Sequence, residues 1–178
     1  MSYIVLKDEL TLSDMKNFRN MAEEALIARA VKLGVAGSAN ELTIRPFDPL
    51  LDAGAALAQW RTAALAVIGT EYSCFQAVPA PILANNKCAV FYKIGCEEVP
   101  MPVARLRIRT AAAGNLMAEF DLEQFVNAWT QEGYFSQPVP IDPTMTFAIN
   151  VTARIATGLF ARVQLGGLVA EPTGQTIA

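Results

Sequence analysis

The sequence, 178 residues long, contains no histidine. That absence removes the one side chain whose ordinary pKa lies near neutrality. It excludes histidine general acid–base catalysis, Ser-His-Asp and Cys-His sites, and histidine metal ligands. Cysteine is scarce: Cys74, Cys88 and Cys96 are odd in number and lack CxxC spacing, which argues against a disulfide-stapled secreted domain. They read as free thiols buried as small hydrophobes, with a Cys88–Cys96 bridge across neighbouring strands left open. Charge is also low. Only 17% of residues are charged and 53% are hydrophobic, against roughly 25% charged in an average soluble domain. A surface this poor in charge is expected to be covered in part, most simply by copies of the same chain. The net charge of −3 gives no global attraction for nucleic acid or anionic lipid. The start, Met1 to Asp8, lacks the basic and apolar regions of a signal peptide. The longest apolar run, Ala53 to Gly69, is interrupted by Gln59 and Arg61, so no membrane-crossing helix is expected. Gly166-Gly167 fits neither GxxxxGK[ST] nor GxGxxG, which removes phosphate loops.

What the sequence has is alternation. In Thr144 to Ile155, Met145, Phe147, Ile149, Val151, Ala153 and Ile155 are apolar, and the residues between them are mostly polar. This two-residue period predicts a strand with one buried face. Thr157-Gly158 is read as a turn into a second, paired run, with Leu159, Ala161, Val163 and Leu165 on the apolar face and Gly166-Gly167 at its close. Shorter strands are predicted at Glu41–Arg45, Ser73–Val78, Lys87–Ile94 and Val103–Arg109, separated by proline and asparagine pairs. Leu50 to Ile68 reads either as helix, from its alanines, or as part of the sheet. Gln137 to Pro143 is expected to be a rigid entry to the long strand. Asn150-Val151-Thr152 matches a glycosylation sequon but lies in a predicted strand, and is taken as chance.

Two helices are expected. Thr11 to Leu33 carries an apolar stripe of Met15, Phe18, Ala22, Ala25 and Leu26, a capping box of Thr11 with Asp14, and Gly34 as its stop. Leu122 to Trp129 is the second, short and in a loop, with Asp121 as cap and Gln124 as its capping-box partner.

Arg105, Arg107 and Arg109 share one strand face; Glu119 and Asp121 share another beyond a turn. A hairpin centred on Gly114 sets Arg109 against Glu119 and Arg107 against Asp121, as cross-strand ion pairs of roughly 0.2–1 kcal/mol each. The paired face outweighs the alternatives, a phosphate or RNA site on the arginines and a Ca²⁺ site on Glu119, Asp121 and Glu123, because neither interleaved aromatics nor EF-hand spacing accompanies them. Glu97 and Glu98 are adjacent, cannot act together on a strand, and are read as solvated. Trp60, Trp129, Phe120, Phe125 and Phe147 are read as core or interface aromatics. No catalytic, cofactor-binding or metal-binding residue is singled out.

Val103 to Arg109, followed by a glycine-bearing turn and Phe120-Asp121-Leu122-Glu123-Gln124, resembles a recurring passage of viral capsid proteins. So do Pro138 to Asp142 leading into a long strand, and the ending Val163 to Pro172. The family is the single β-barrel (jelly-roll) capsid proteins of tailless icosahedral viruses with an internal membrane, infecting bacteria and archaea. The resemblance implies a mainly β chain: one domain over 1–178, with a helical segment at 1–36 and a jelly-roll β-sandwich or barrel at 37–178. It implies a structural virion protein, not an enzyme, made in the host cytoplasm and self-assembling into an icosahedral capsid, often beside a second capsid protein. It also implies contact with an internal viral membrane. Residues 1–36 hold five acidic and five basic side chains, so this segment is no basic arm and direct nucleic-acid contact is not expected. A jelly-roll carbohydrate- or receptor-binding module is the alternative. An enzyme comes third and would need a carboxylate pair from Glu97, Glu119, Asp121 and Glu123.

Overall fold

The computed structural model describes residues 3–52, 59–75, 80–111 and 114–174. The elements in chain order are β1 (Ile4–Leu6), α1 (Leu12–Lys32), β2 (Leu42–Pro46), α2 (Pro49–Asp52), β3 (Glu71–Ser73), β4 (Cys88–Cys96), β5 (Val103–Arg109), β6 (Leu116–Asp121), β7 (Glu132–Ile141), β8 (Ala148–Ala153) and β9 (Val163–Pro172). They form a five-stranded sheet, β1-β7-β4-β9-β2, and a four-stranded sheet, β3-β8-β5-β6. Every pairing is antiparallel. The eight strands after β1 fall into two four-stranded sets, β7-β4-β9-β2 and β3-β8-β5-β6, the order of the jelly-roll sandwich. The mainly β fold with an N-terminal helix was legible in the sequence.

The alternating run beginning at Thr144 does form a strand, but it does not pair with the run that follows. β8 lies in the four-stranded sheet and β9 in the five-stranded one, so residues 154–162 cross between layers. Gly158 turns the chain there with φ 68°. Leu159 is exposed, Ala161 is buried and Phe160 is partly exposed, so the second run starts only at Val163. Gly166 and Gly167 do not close that run; they lie within β9. Opposite them β4 has a bulge between Phe91 and Lys93, which brings β4's side chains across β9. A Cβ on Gly167 would stand 2.7 Å from Phe91 Cδ1 and 2.9 Å from the Val90 carbonyl oxygen. The bulge also changes parity: Ala89 and Phe91 face the core before it, and Ile94 after it.

The five-stranded sheet is covered on both sides. Its inner face meets the other sheet through one core containing Phe91, Leu106, Phe120, Phe135, Phe147 and Val151. Its outer face carries Cys88, Val90, Leu168 and Ala170, and α1 lies on them through Ala22, Leu26 and Ala30. The helix has the expected capping box, and Gly34 ends it at φ 74°. Ala25, expected in the stripe, is exposed; the buried row is the i, i+4, i+8 set, with alanines that let the helix sit close. Phe18 stacks on Tyr134 at 5.3 Å between ring centroids. Arg29 donates from Nε and Nη2 to the two Asp142 carboxylate oxygens at 2.7 Å each.

Two further expectations change, at Gln137–Pro143 and at Leu122–Trp129. Asp48-Pro49 opens α2, where Asp48 Oδ1 accepts from Leu50 N. Residues 53–58 and 76–79 lie outside the described residues, so the readings across Leu50–Ile68 and Ser73–Val78 are settled only in part; Arg61 makes an isolated bridge to Phe75. Pro138 and Pro140 lie inside β7, past the last described pairing with β1 at Phe135, and the strand extends through them to Ile141. The helix expected at Leu122–Trp129 is a 3₁₀ turn at Glu123–Asn127. Asp121 Oδ1 accepts from Glu123 N, while Gln124 Nε2 donates to the Ile4 carbonyl, so no capping box forms.

The Gly167→Ala substitution is expected to destabilise the fold by about 1–3 kcal/mol, because backbone and a core ring, not a flexible chain end, stand in the way. Chemical denaturation checks it; an unchanged midpoint would show that β9 does not need the close approach of β4.

Candidate functional site

The arginine face of β5 forms as expected, with its register moved by two residues. Arg105 lies opposite Asp121, and Arg107 opposite Glu119. The hairpin closes on Thr110 and Asn115, and a bulge at Ile108/Arg109 places Leu116 against Arg109. Glu71 on β3, not singled out in the sequence, reaches over β8 to complete the face. Arg107 pairs with Glu71 and, at 3.3 Å, with Glu119, while Arg109 meets Glu71 at 3.2 Å. Burial raises the Glu71 pKa, but Arg107 and Arg109 outweigh it and hold the carboxyl below its usual range. Beside this face lies a groove of about 460 Å³, where Arg105, Arg107, Asp121, Glu123 and Arg154 stand among Ile68, Ala104 and Ala153.

A second ionic cluster is buried at the end of the sandwich where β4 begins and β9 ends. Arg45 donates from Nη1 and Nη2 to Asp52 at 2.8 and 2.7 Å, and from Nε to Glu171 at 3.1 Å. Lys87 Nζ donates to Asp52 Oδ1 at 2.9 Å. Asp52, Lys87 and Glu171 are all buried. The four charges cancel, and they fasten α2 to β2, β4 and β9. Burial works to raise the Asp52 pKa, but Arg45, the Asp48 N–H and Lys87 together hold it below the usual carboxylate value. No motif marks this cluster in the sequence.

Glu97 and Glu98 are not merely solvated. Glu97 accepts from Arg162 Nη1 at 2.9 Å, and Glu98 accepts from the Arg162 N–H and from Cys96 Sγ at 3.0 Å. The Cys88–Cys96 bridge is excluded because the two residues stand at opposite ends of β4, on the order of 25 Å apart at strand rise. All three thiols are free. Burial pushes Cys88 up to about 11, with Asp142 adding to the rise and Arg29 opposing it. Burial also raises Cys74, and it raises Cys96 together with the Glu98 hydrogen bond. Among the described residues no three His, Cys, Asp or Glu side chains stand together as a metal would require, and no helix is long and apolar enough to cross a membrane.

The feature that sequence reasoning missed is at the opposite end of the sandwich. There the connections 59–70, 97–102, 122–131 and 154–162 gather, and each exposes large apolar side chains. Val67, Ile68, Val99, Ile155, Leu159 and Phe160 lie open, and Trp129 is 93% exposed. Of the five aromatics singled out in the sequence, Phe120, Phe125 and Phe147 are core and Trp60 stacks on Phe75 at 4.5 Å. Trp129 belongs to no core. Val99, Pro100, Pro102, Ile155, Leu159 and Phe160 line a groove of about 410 Å³. Its wall is fixed: Arg61 lies over the Phe160 ring at 3.9 Å. Ile155 and Leu159 were expected to point inward by alternation; at a crossing between sheets the strand period no longer applies.

No protein-family model matches the chain, and no curated protein sequence is similar to it.

Two outcomes are expected from the buried groups. Removing one charge from the Arg45–Asp52–Lys87–Glu171 cluster, as in Asp52→Asn, leaves buried cations underpaired and is expected to cost about 3–5 kcal/mol. Because the folded-state pKa of Asp52 is depressed, its contribution is complete above the unfolded value of about 4 and lost as pH falls through the folded value. Urea titrations between pH 7 and 2 should therefore show a shallower acid loss in the variant than in the parent. For the thiols, native protein at pH 8 is expected to label slowly at all three cysteines and fully in denaturant. A thiol reacting at once in native protein would contradict the raised pKa values.

Proposed function

We propose that this chain is a structural virion protein, a capsid subunit that assembles with copies of itself into an icosahedral shell. The observation that carries the reading is the apolar loop end of the jelly roll, where Val99, Ile155, Leu159 and Phe160 border one groove and Trp129 stands exposed. Exposed apolar surface gathered in this way marks an interaction site. A jelly roll is a scaffold of viral shells and of lectin-like modules alike, so the fold agrees with the reading without deciding it. The low charge of the sequence supports it further, and so do the capsid-like passages, which correspond to β5–β6, β7 and β9.

In this reading the subunit neutralises no genome directly. Residues 1–36 are balanced in charge, and α1 within them lies on the sheet. A second capsid protein and an internal viral membrane are its other proposed neighbours, with the virion as its location. The second reading, a carbohydrate- or receptor-binding module, is favoured by the groove beside Arg105 and Arg107, whose charged donors and acceptors next to apolar lining suit a ligand with hydroxyl groups.

Negative-stain microscopy and sedimentation of purified protein are expected to show concentration-dependent oligomers and closed or partial shells. A monomer at every concentration, together with saturable binding to a glycan array, would overturn the capsid reading in favour of the binding module.

A further inference from the structure

We propose that Trp129 of one subunit inserts into the apolar groove of a second copy, formed by Val99, Pro100, Pro102, Ile155, Leu159 and Phe160. This rests on the reading of the chain as a self-associating subunit and names the contact through which it associates.

Trp129 is exposed and yet firmly held. The Trp129 and Thr130 N–H groups both donate to Asp8 Oδ2, at 2.8 and 3.0 Å, and Thr130 Oγ1 donates to Asp8 Oδ1 at 2.7 Å. Gln131 ties the same segment down: its Oε1 accepts from Met101 N at 2.7 Å, and its Nε2 donates to the Phe125 and Ala128 carbonyls. A mobile surface tryptophan would lose conformational entropy on docking. The backbone that carries this one is already fixed, which removes part of that cost. The Gln131–Met101 bond also couples the Trp129 segment to the 97–102 connection that forms one groove wall, so knob and groove share one rigid end of the sandwich.

The occupant follows from area. Val99 and Leu159 are 72% and 68% exposed. With Ile155, Phe160 and Trp129 they leave on the order of 700 Å² per chain, so a reciprocal contact in which each copy fills the other's groove removes about 1,400 Å² in total, within the range of a specific stable interface. Either patch alone falls short of that range. An apolar tryptophan anchor in an apolar pocket is also the composition expected at the centre of an interface. Knob and groove lie at different places on one chain, so the same contact made head to tail instead would generate a ring.

The test uses two variants on the full chain, Trp129→Ala and Leu159→Asp, each checked for native circular dichroism. Sedimentation velocity over a hundredfold range of concentration, with tryptophan emission and acrylamide quenching, reads the contact. Parent protein is expected to associate as Trp129 emission shifts to the blue and quenching falls. Each variant alone is expected to lose that association at least tenfold, and an equimolar mixture of the two to recover part of it. In the mixture, the intact tryptophan of one variant meets the intact groove of the other. Shells or oligomers formed equally well by Trp129→Ala, or a Trp129 that stays quenchable within them, would overturn this contact and leave the capsid reading standing. Dimers that depend on Trp129 and never grow into shells would support the contact and overturn the capsid reading. Parent protein that stays monomeric would overturn both.

Discussion

The side-by-side packing of β4 and β9 in the middle of the five-stranded sheet is the constraint on which the other layers rest. β4 is bulged between Phe91 and Lys93, and β9 answers with Gly166 and Gly167, so that ring and backbone pass where side chains would otherwise stand. Inward, the pair presents Ala89, Phe91, Val163 and Val169 to the four-stranded sheet. Outward, it presents Cys88, Val90, Leu168 and Ala170 to α1. A strand buried on both faces needs small residues wherever a neighbour comes close, and this explains why β9 is rich in glycine and alanine as well as in branched residues.

The two ends of the sandwich are finished in different ways. At one end a neutral set of four charges, buried Asp52, Lys87 and Glu171 with half-buried Arg45, joins α2 to three strands. Such a set gives little net stability over a hydrophobic packing of the same shape but penalises any arrangement that separates its members, and so favours a single position for α2. At the other end the connections are bound to each other by polar contacts, Met101 with Gln131 and Arg162 with Glu98, while their apolar side chains face outward. The order of that end makes it suited to docking: a rigid apolar surface loses little freedom when it is covered.

Period and turn chemistry made much of this visible in the sequence. Strict alternation located β5, β6 and β8, and the Thr11–Asp14 capping box with Gly34 set both ends of α1. What alternation could not show was the partner of each strand. β8 and β9 are successive in sequence, and a turn between them suggested a hairpin, yet the jelly roll sends them to different sheets. The arginine face was read correctly as ion-paired, but a bulge moved its register and Glu71 supplied a partner from two strands away. The buried charges and the exposed loop end were invisible for a common reason. Both are made by residues far apart in the chain, brought together only by the crossings between sheets.

Hydrogen exchange followed residue by residue in dilute and in concentrated protein tests the account most directly. The amides of β4 and β9 are expected to exchange slowest in both conditions, and the connections 97–102, 122–131 and 154–162 to gain protection only in the concentrated sample. Loop amides whose exchange is indifferent to concentration, or a β4–β9 pair that opens before the edge strands, would contradict it.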